Sequence, residues 1–194
     1  MESSILLGSL GIACAGMLVA ERLGAKVVLS LKFKGDIKRE TRWLAQYGQG
    51  ACTIVVAGLL VAFDNHRNPP MRYGLTPASL LLVVVFGTSL ICMLLKRLLG
   101  RARPNRENAG RFLGPTLRHD NSRESFPSSH SAAAVAMSVV LTHLYPQGAA
   151  VFWALAITCA ILRYLMDAHW PSDVLGGVAL GLGLAQISCL WVGP

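Results

Sequence analysis

A polar, cation-rich stretch over residues 96–130 divides this chain, with apolar runs on both sides of it. It opens with Lys96, Arg97, Arg101, Arg103 and Pro104 and closes with Phe126-Pro127-Ser128-Ser129-His130. Arg106, Arg111, Arg118 and Arg123 lie between. A connection this long with no structure of its own is functional or disordered. So many cations between hydrophobic segments point to an anion-binding site beside a membrane. Composition agrees. Of 194 residues, 53% are hydrophobic and 14% charged, against about 25% charged in a soluble domain. Mean hydropathy is +0.49. The formal net charge of +8 suits lipid headgroups and phosphates. Nucleic acid is not an expected partner, because the basic residues are interleaved with membrane-length apolar runs.

Six apolar runs are expected to cross a bilayer: 3–20, 43–63, 75–95, 131–145, 149–162 and 174–192. The first has only Glu2 as an early charge. Without a basic leader it is read as a membrane helix and not as a signal peptide. Residues 21–42 mix Val27-Val28-Leu29 with Arg22, Lys26, Lys32, Lys34, Lys38 and Arg39. They fit an interfacial basic helix or a solvated charged loop. The second run stops at Pro69-Pro70, since helices rarely continue into a double proline. The fourth is rich in Ala and Ser, which let membrane helices approach closely. Gly177 and Gly181 in the sixth have helix-contact spacing. Cys14, Cys52, Cys92, Cys159 and Cys189 all lie inside apolar runs and read as small hydrophobes. The expectation is one all-α domain over 1–194, a six-helix membrane bundle with a motif-bearing core at 75–193.

Counting crossings fixes which loops share a side. Loop 21–42, the polar middle and residues 167–172 fall on one face. Loop 64–74, the turn at 146–148 and both termini fall on the other. Lys96, Arg103, His130, Arg163, His169 and Asp173 therefore meet at one membrane face. A carboxylate beside a histidine can hold one ring nitrogen and present the other as nucleophile or base. Ionisable groups at a membrane edge are functional by default. Phosphoryl transfer needs charge on the equatorial oxygens and an in-line nucleophile. No acidic cluster for a metal is visible in the sequence. Lys96, Arg103 and Arg163 can supply the charge instead, with Arg offering bidentate donors. Ser128, Ser129 and the N–H groups of the helix opening after Pro127 can complete the cradle.

Three motifs now stand in order: Lys96, six residues, Arg103-Pro104; then Pro127-Ser128-Ser129-His130; then Arg163, five residues, His169, three residues, Asp173. This pattern resembles the three-part signature of the type-2 phosphatidic acid phosphatase superfamily, which includes the vanadium haloperoxidases. The resemblance implies that His169 attacks phosphorus and becomes phosphohistidine. It implies that His130 protonates the leaving oxygen and that Asp173 orients His169. Lys96, Arg103, Ser128, Ser129 and Arg163 would bind the phosphate, and hydrolysis would need no metal or other cofactor. There are two departures. Ser129 stands where the motif usually has Gly, and keeps an N–H donor. Leu162 stands where it usually has Ser, and removes one hydroxyl. Arg101, Arg106, Arg111, Arg118 and Arg123 fall outside the motif, free for a second phosphate, an acidic headgroup or anionic lipid.

The expected activity is hydrolysis of a lipid phosphate monoester or pyrophosphate, with a phospholipid or polyprenyl phosphate as substrate. Phosphate transfer between lipids is the alternative. A haloperoxidase fits less well, since those enzymes resemble soluble proteins, and a non-catalytic lipid-binding or transport relative should have lost a histidine. Sidedness sets two arguments against each other. The positive-inside rule places the cation-rich face in the cytoplasm. Resemblance to bacterial lipid phosphatases places it outside. Phosphate binding accounts for much of the second loop's charge, so the expectation is a multi-pass protein of the plasma or inner membrane with its site on the non-cytoplasmic face.

Overall fold

The computed structural model describes residues 2–25, 34–63, 71–104, 106–116, 119–166 and 168–192. Seven helices follow in chain order among them: α1 (Glu2–Arg22), α2 (Gly35–Ala45), α3 (Gly50–Phe63), α4 (Pro77–Leu99), α5 (Ser129–Leu144), α6 (Ala149–Leu165) and α7 (Pro171–Val192). No strand longer than an isolated bridge, Arg101 to Phe112, is found among the described residues. The chain is all-helical, as its apolar runs required.

Helix ends follow local chemistry. Thr76 caps α4: its hydroxyl accepts from the Ser79 N–H at 3.2 Å, while Ser79 Oγ accepts from the Thr76 N–H at 2.8 Å. This reciprocal pair satisfies donors the first turn leaves orphaned, and Pro77 follows at a position that needs no donor. Gly100 ends the helix in the left-handed region at φ 58°, where a side chain would be strained. So α4 runs one turn beyond the apolar run and carries Lys96 inside its last turn. Arg163 sits likewise in the last turn of α6. Helix α7 starts at Pro171, three residues before its apolar run, which puts Asp173 in the first turn.

The hub is α5. Ala132, Ala133, Ala134, Val135, Ala136, Met137, Ser138, Val139 and Val140 are all buried, and α5 packs on α4, α6 and α7. Its small residues permit the approach, and so do the glycines of α7. A Cβ on Gly177 would lie 2.4 Å from the Ser128 carbonyl oxygen, and one on Gly181 would lie 2.3 Å from that of Ala132. The glycine spacing seen in the sequence is thus a true helix contact. The outer surface is apolar instead: Ile12 is 76% exposed, Val61 77% and Leu190 81%. A contiguous apolar exterior of this kind is what a hydrocarbon solvent demands. All five cysteines are free thiols, four buried and Cys52 half-buried, as expected of small hydrophobes.

Helices α1, α4 and α7, and α6 with the turn before it, are long and apolar enough to cross a membrane. The segment expected as one span over 43–63 is broken. Helix α2 and the turn Gln46–Gly48 meet α3 at 67°, and together they make a fifth candidate span. The chain turns extended at Gln49 (ψ 149°), and Gly48 beside it passes close to α5: a Cβ there would fall 2.1 Å from the carbonyl oxygen of His130. The bend lies beside the start of α5. Helix α5 has 16 residues, about 24 Å at 1.5 Å per residue, against a hydrocarbon core of about 30 Å. Of the basic segment 21–42, residues 26–33 lie outside the described residues. Its second half forms α2, with an exposed Arg39–Asp36 ion pair at 3.2 Å. The Pro69-Pro70 stop also lies outside the described residues.

Candidate active site

The connection between α4 and α5 folds back on itself through main-chain hydrogen bonds. Ala102 N–H donates to Arg111 O at 3.0 Å, Arg103 N–H to Ser122 O at 2.9 Å and Ser125 N–H to Arg101 O at 3.0 Å. The loop thereby turns Arg101 and Arg103 inward, while Arg106 and Arg111 stay exposed. Lys96 is buried and donates through Nζ to the Glu124 carbonyl at 3.0 Å. Arg103 donates to the carbonyls of Asn121 (2.7 Å), Ala168 (3.0 Å) and Glu124 (3.4 Å). It ties the loop to the α6–α7 connection. Arg163 reaches the same place from α6, and its buried Nε has no partner among the described residues. The charges of Arg163, Lys96 and Arg103 all act on His130, at the start of α5. The structure therefore brings Lys96, Arg103, His130, Arg163, His169 and Asp173 to one end of the bundle.

His169 lies between α6 and α7 and is 2% exposed. Its Nδ1 faces Asp173 Oδ2 at 3.6 Å, within range for charge attraction and longer than a hydrogen bond. Nε2 is left to face away from the carboxylate. Burial pushes His169 down to about 3, against the opposing pull of Asp173. The ring is thus neutral at pH 7, with a lone pair to offer. Burial also lowers Arg103 from its ordinary value, but a guanidinium keeps its charge regardless.

Ser128 is fully buried, and its hydroxyl is the N-cap of α5. It accepts from Ser131 Oγ at 2.9 Å and from the Ser131 N–H at 3.5 Å. The Ser128 N–H donates to the Asp173 carbonyl at 2.9 Å, so that donor is already engaged. The N–H groups of Ser129 and His130 follow it in the first turn, where helices leave donors without intrahelical acceptors. Ser129 is half-buried beside them.

Arg101 is where the sequence reading needs correction. It falls outside the motif and was expected to be free for a second phosphate, an acidic headgroup or anionic lipid. Instead it is 1% exposed. It donates to Asp173 Oδ1, Ser172 Oγ and Glu21 Oε2, each at 2.6 Å. Arg106 and Arg111 are exposed, and Arg123 is half-buried and donates to the Leu113 carbonyl. Arg118 lies outside the described residues. Glu21, Ser125, Ser172 and Glu124 were also missed. Ser125 Oγ donates to Asp173 Oδ2. Glu124 turns its carboxylate to His119 Nδ1 at 2.9 Å and offers its carbonyl to the cations. For Glu21 a signal existed, since counting crossings puts the end of α1 on the site face.

Lys96, Arg103 and Arg163 form no ion pair with a carboxylate among the described residues. Lys96 is buried and the two arginines half-buried, and a cation drawn out of water favours a counter-charge. The arrangement is an anion cradle with a neutral histidine at its floor. Among the described residues no group of three His, Cys, Asp or Glu is placed to hold a metal ion. An apolar cavity of about 360 Å³ runs between α5, α6 and α7, with Tyr164 and Pro171, sequence neighbours of Arg163 and His169, in its wall.

Comparison with known proteins gives the class. Residues 77–194, more than half of the chain, match the model of the PAP2 superfamily, and the protein belongs to that family. Lipid A 1-phosphatase of Rhizobium johnstonii is 36% identical over 114 residues, which are 58% of this chain and 46% of that protein. Undecaprenyl-diphosphatase of Sulfolobus acidocaldarius is 28% identical over 153 residues, 75% of this chain and 66% of that one. The chain spans about half the length of the lipid A 1-phosphatases it matches, 46% and 45%. Among solved structures, Aquifex aeolicus LpxE superposes with a TM-score of 0.63 at 20% identity, covering 82% of this chain and 89% of that one. A PAP2-type phosphatidylglycerolphosphate phosphatase from Bacillus subtilis gives 0.62 at 22%, covering 94% and 93%. The fold is that of these two structures, and its long apolar helices suit an integral membrane protein of this family.

Proposed function

We propose that this protein hydrolyses a lipid phosphate monoester or pyrophosphate at the membrane surface through a phosphohistidine intermediate, without a metal. The observation that carries the reading is a buried Lys96 and the half-buried Arg103 and Arg163, with no carboxylate ion pair among the described residues, around a buried His169–Asp173 pair. Nε2 of His169 attacks phosphorus as the bond to the leaving oxygen breaks, and His130 gives that oxygen its proton. Water then attacks the phosphohistidine, passes a proton to His130 and releases phosphate, which restores His169. Asp173 stabilises the positive charge that the ring acquires. The cations and the Ser129 and His130 N–H groups hold the equatorial oxygens. Ser128 contributes by fixing the start of α5.

A lipid substrate is favoured because the apolar cavity between α5, α6 and α7 is walled by Tyr164 and Pro171, close in sequence to Arg163 and His169. The names of the relatives suggest a lipid A phosphate or a polyprenyl diphosphate. Residues 1–194 act as one unit with a motif-bearing core at 75–193. In this reading α5 is a sixth crossing. It is shielded from lipid by α4, α6 and α7, so it can be shorter than the bilayer core.

A panel of purified lipid phosphates in detergent tests the activity. Phosphate release is expected with chelator present, and vanadate should inhibit it, because vanadate mimics the five-coordinate transition state an enzyme binds tightly. Loss of activity on chelation with recovery on adding Mg²⁺ would show that a metal supplies the charge.

We place the site on the non-cytoplasmic face. The loop's positive charge loses weight as a topology signal when Arg101 is neutralised by Glu21 and Asp173 and Lys96 and Arg103 line the cradle. A single cysteine at exposed Glu107, in a background lacking the five native thiols, should react with an impermeant maleimide in intact cells. Protection until lysis, with a cysteine at Gln147 labelled instead, would put the site in the cytoplasm.

A further inference from the structure

Glu21 ends the first helix, outside residues 77–194 of the family match. Its side chain is 3% exposed and that of Arg101 2% exposed. A buried carboxylate at the end of a membrane helix is costly unless it is paired. Glu21 is paired on both oxygens. Oε1 accepts from the Ser172 N–H at 3.1 Å. Oε2 accepts from Arg101 at 2.6 Å and from Ser172 Oγ at 2.5 Å. The Ser172 N–H belongs to the first turn of α7, where donors lack intrahelical acceptors and negative charge is favoured. Glu21 therefore caps, from another helix, the turn that carries Asp173. Cys14 adds a second tie between the same helices, its Sγ lying 3.4 Å from the Ser172 carbonyl.

Arg101 turns this contact toward the chemistry. One of its terminal nitrogens bonds Glu21. The other bonds both Ser172 Oγ and Asp173 Oδ1. Nε donates to the Gly110 carbonyl at 3.3 Å. The rings of Phe112 and Trp170 stand 5.2 and 5.4 Å from the guanidinium carbon, which fixes its plane. Asp173 is held at both ends as a result. Arg101 takes Oδ1, while Ser125 Oγ and the Trp170 N–H (2.9 Å) take Oδ2, the oxygen that faces His169. The carboxylate cannot rotate without breaking a charge-assisted bond.

We infer that Glu21 and Arg101 are a positioning pair that fixes Asp173 behind His169, making the end of the first helix part of the phosphatase site. The inference rests on His169 being the nucleophile, as proposed above. One cation is shared between two carboxylates. If Glu21 loses its charge, Arg101 is drawn wholly to Asp173, and less negative charge remains for the ring as it becomes cationic. The groups that hold phosphate are untouched. The effect therefore falls on kcat and not on KM, whereas a merely structural tie would lower yield and stability and leave turnover of the folded fraction unchanged.

The test measures kcat and KM for Glu21→Gln, Glu21→Asp, Arg101→Lys and His169→Ala on one lipid phosphate, using only monodisperse protein. Glu21→Gln should lower kcat about 10- to 100-fold, the scale seen when a hydrogen-bond partner behind a metal-ligating histidine is removed. KM should stay within about twofold, since ground-state binding is unchanged. Glu21→Asp, which keeps the charge, should recover most of the loss. Arg101→Lys should lose kcat because it keeps charge without the planar fork. If Glu21→Gln does not yield monodisperse protein, Glu21→Asp and Arg101→Lys carry the test. Wild-type kcat in both, or a loss confined to KM, overturns the inference. So does a folded Glu21→Gln with wild-type kcat beside an inactive His169→Ala. An active His169→Ala overturns instead the reading on which the pair depends.

Discussion

His169→Ala lowers phosphate release about a thousandfold or more, the scale seen when a covalent nucleophile is deleted. The variant should still insert and purify, because alanine removes a neutral ring whose Nδ1 lies 3.6 Å from Asp173, beyond hydrogen-bond range. Asp173 keeps its bonds to Arg101, Ser125 and the Trp170 N–H, so the carboxylate is not orphaned. The expected result is a folded protein that binds phosphate and does not turn it over. Retention of more than about a tenth of wild-type activity would remove the nucleophile assignment.

His130→Ala should separate two substrates. A leaving oxygen that is already acidic gains little from protonation, and general acid catalysis is worth about 10²- to 10⁴-fold where the leaving group is poor. The variant should therefore lose about a hundredfold or more on a lipid monoester and only about tenfold or less on an aryl phosphate with an acidic phenol. His169→Ala should lose both substrates alike. Equal losses in His130→Ala would mean that this histidine binds or orients and does not donate the proton. The backbone of His130 has a structural duty as well, packing its carbonyl against Gly48, but substitution of the side chain leaves that contact intact.

The reach of the sequence is clear from particular residues. Lys96, Arg103, His130, Arg163, His169 and Asp173 could be gathered in advance because each stands at or near the end of an apolar run or in the short motif that follows it. Helix ends were less legible. Hydropathy stops where charge begins, yet α4 continues through Lys96 to the left-handed Gly100 and α6 continues past Arg163. Gly100 was the available signal, a glycine directly after the last apolar pair. The break between α2 and α3 was hidden for another reason. At the break Gly48 packs on His130, far away in sequence, which occupies the space a Cβ would need. Arg101 was misplaced for the same kind of cause. Its partners Glu21 and Ser172 lie 80 and 71 residues away, and nothing in its local spacing sets it apart from the exposed Arg106 and Arg111. Local rules read the motifs, while pairings between distant helices needed the fold.

The most direct test of a phosphohistidine mechanism is the stereochemistry at phosphorus. A substrate whose transferred phosphoryl group is made chiral with a thio substituent and oxygen isotopes is hydrolysed in isotopic water, and the configuration of the thiophosphate is measured. Attack by His169 followed by attack of water is two in-line displacements, so net retention is predicted. Net inversion would mean that water attacks the lipid phosphate directly, and would contradict a covalent role for His169.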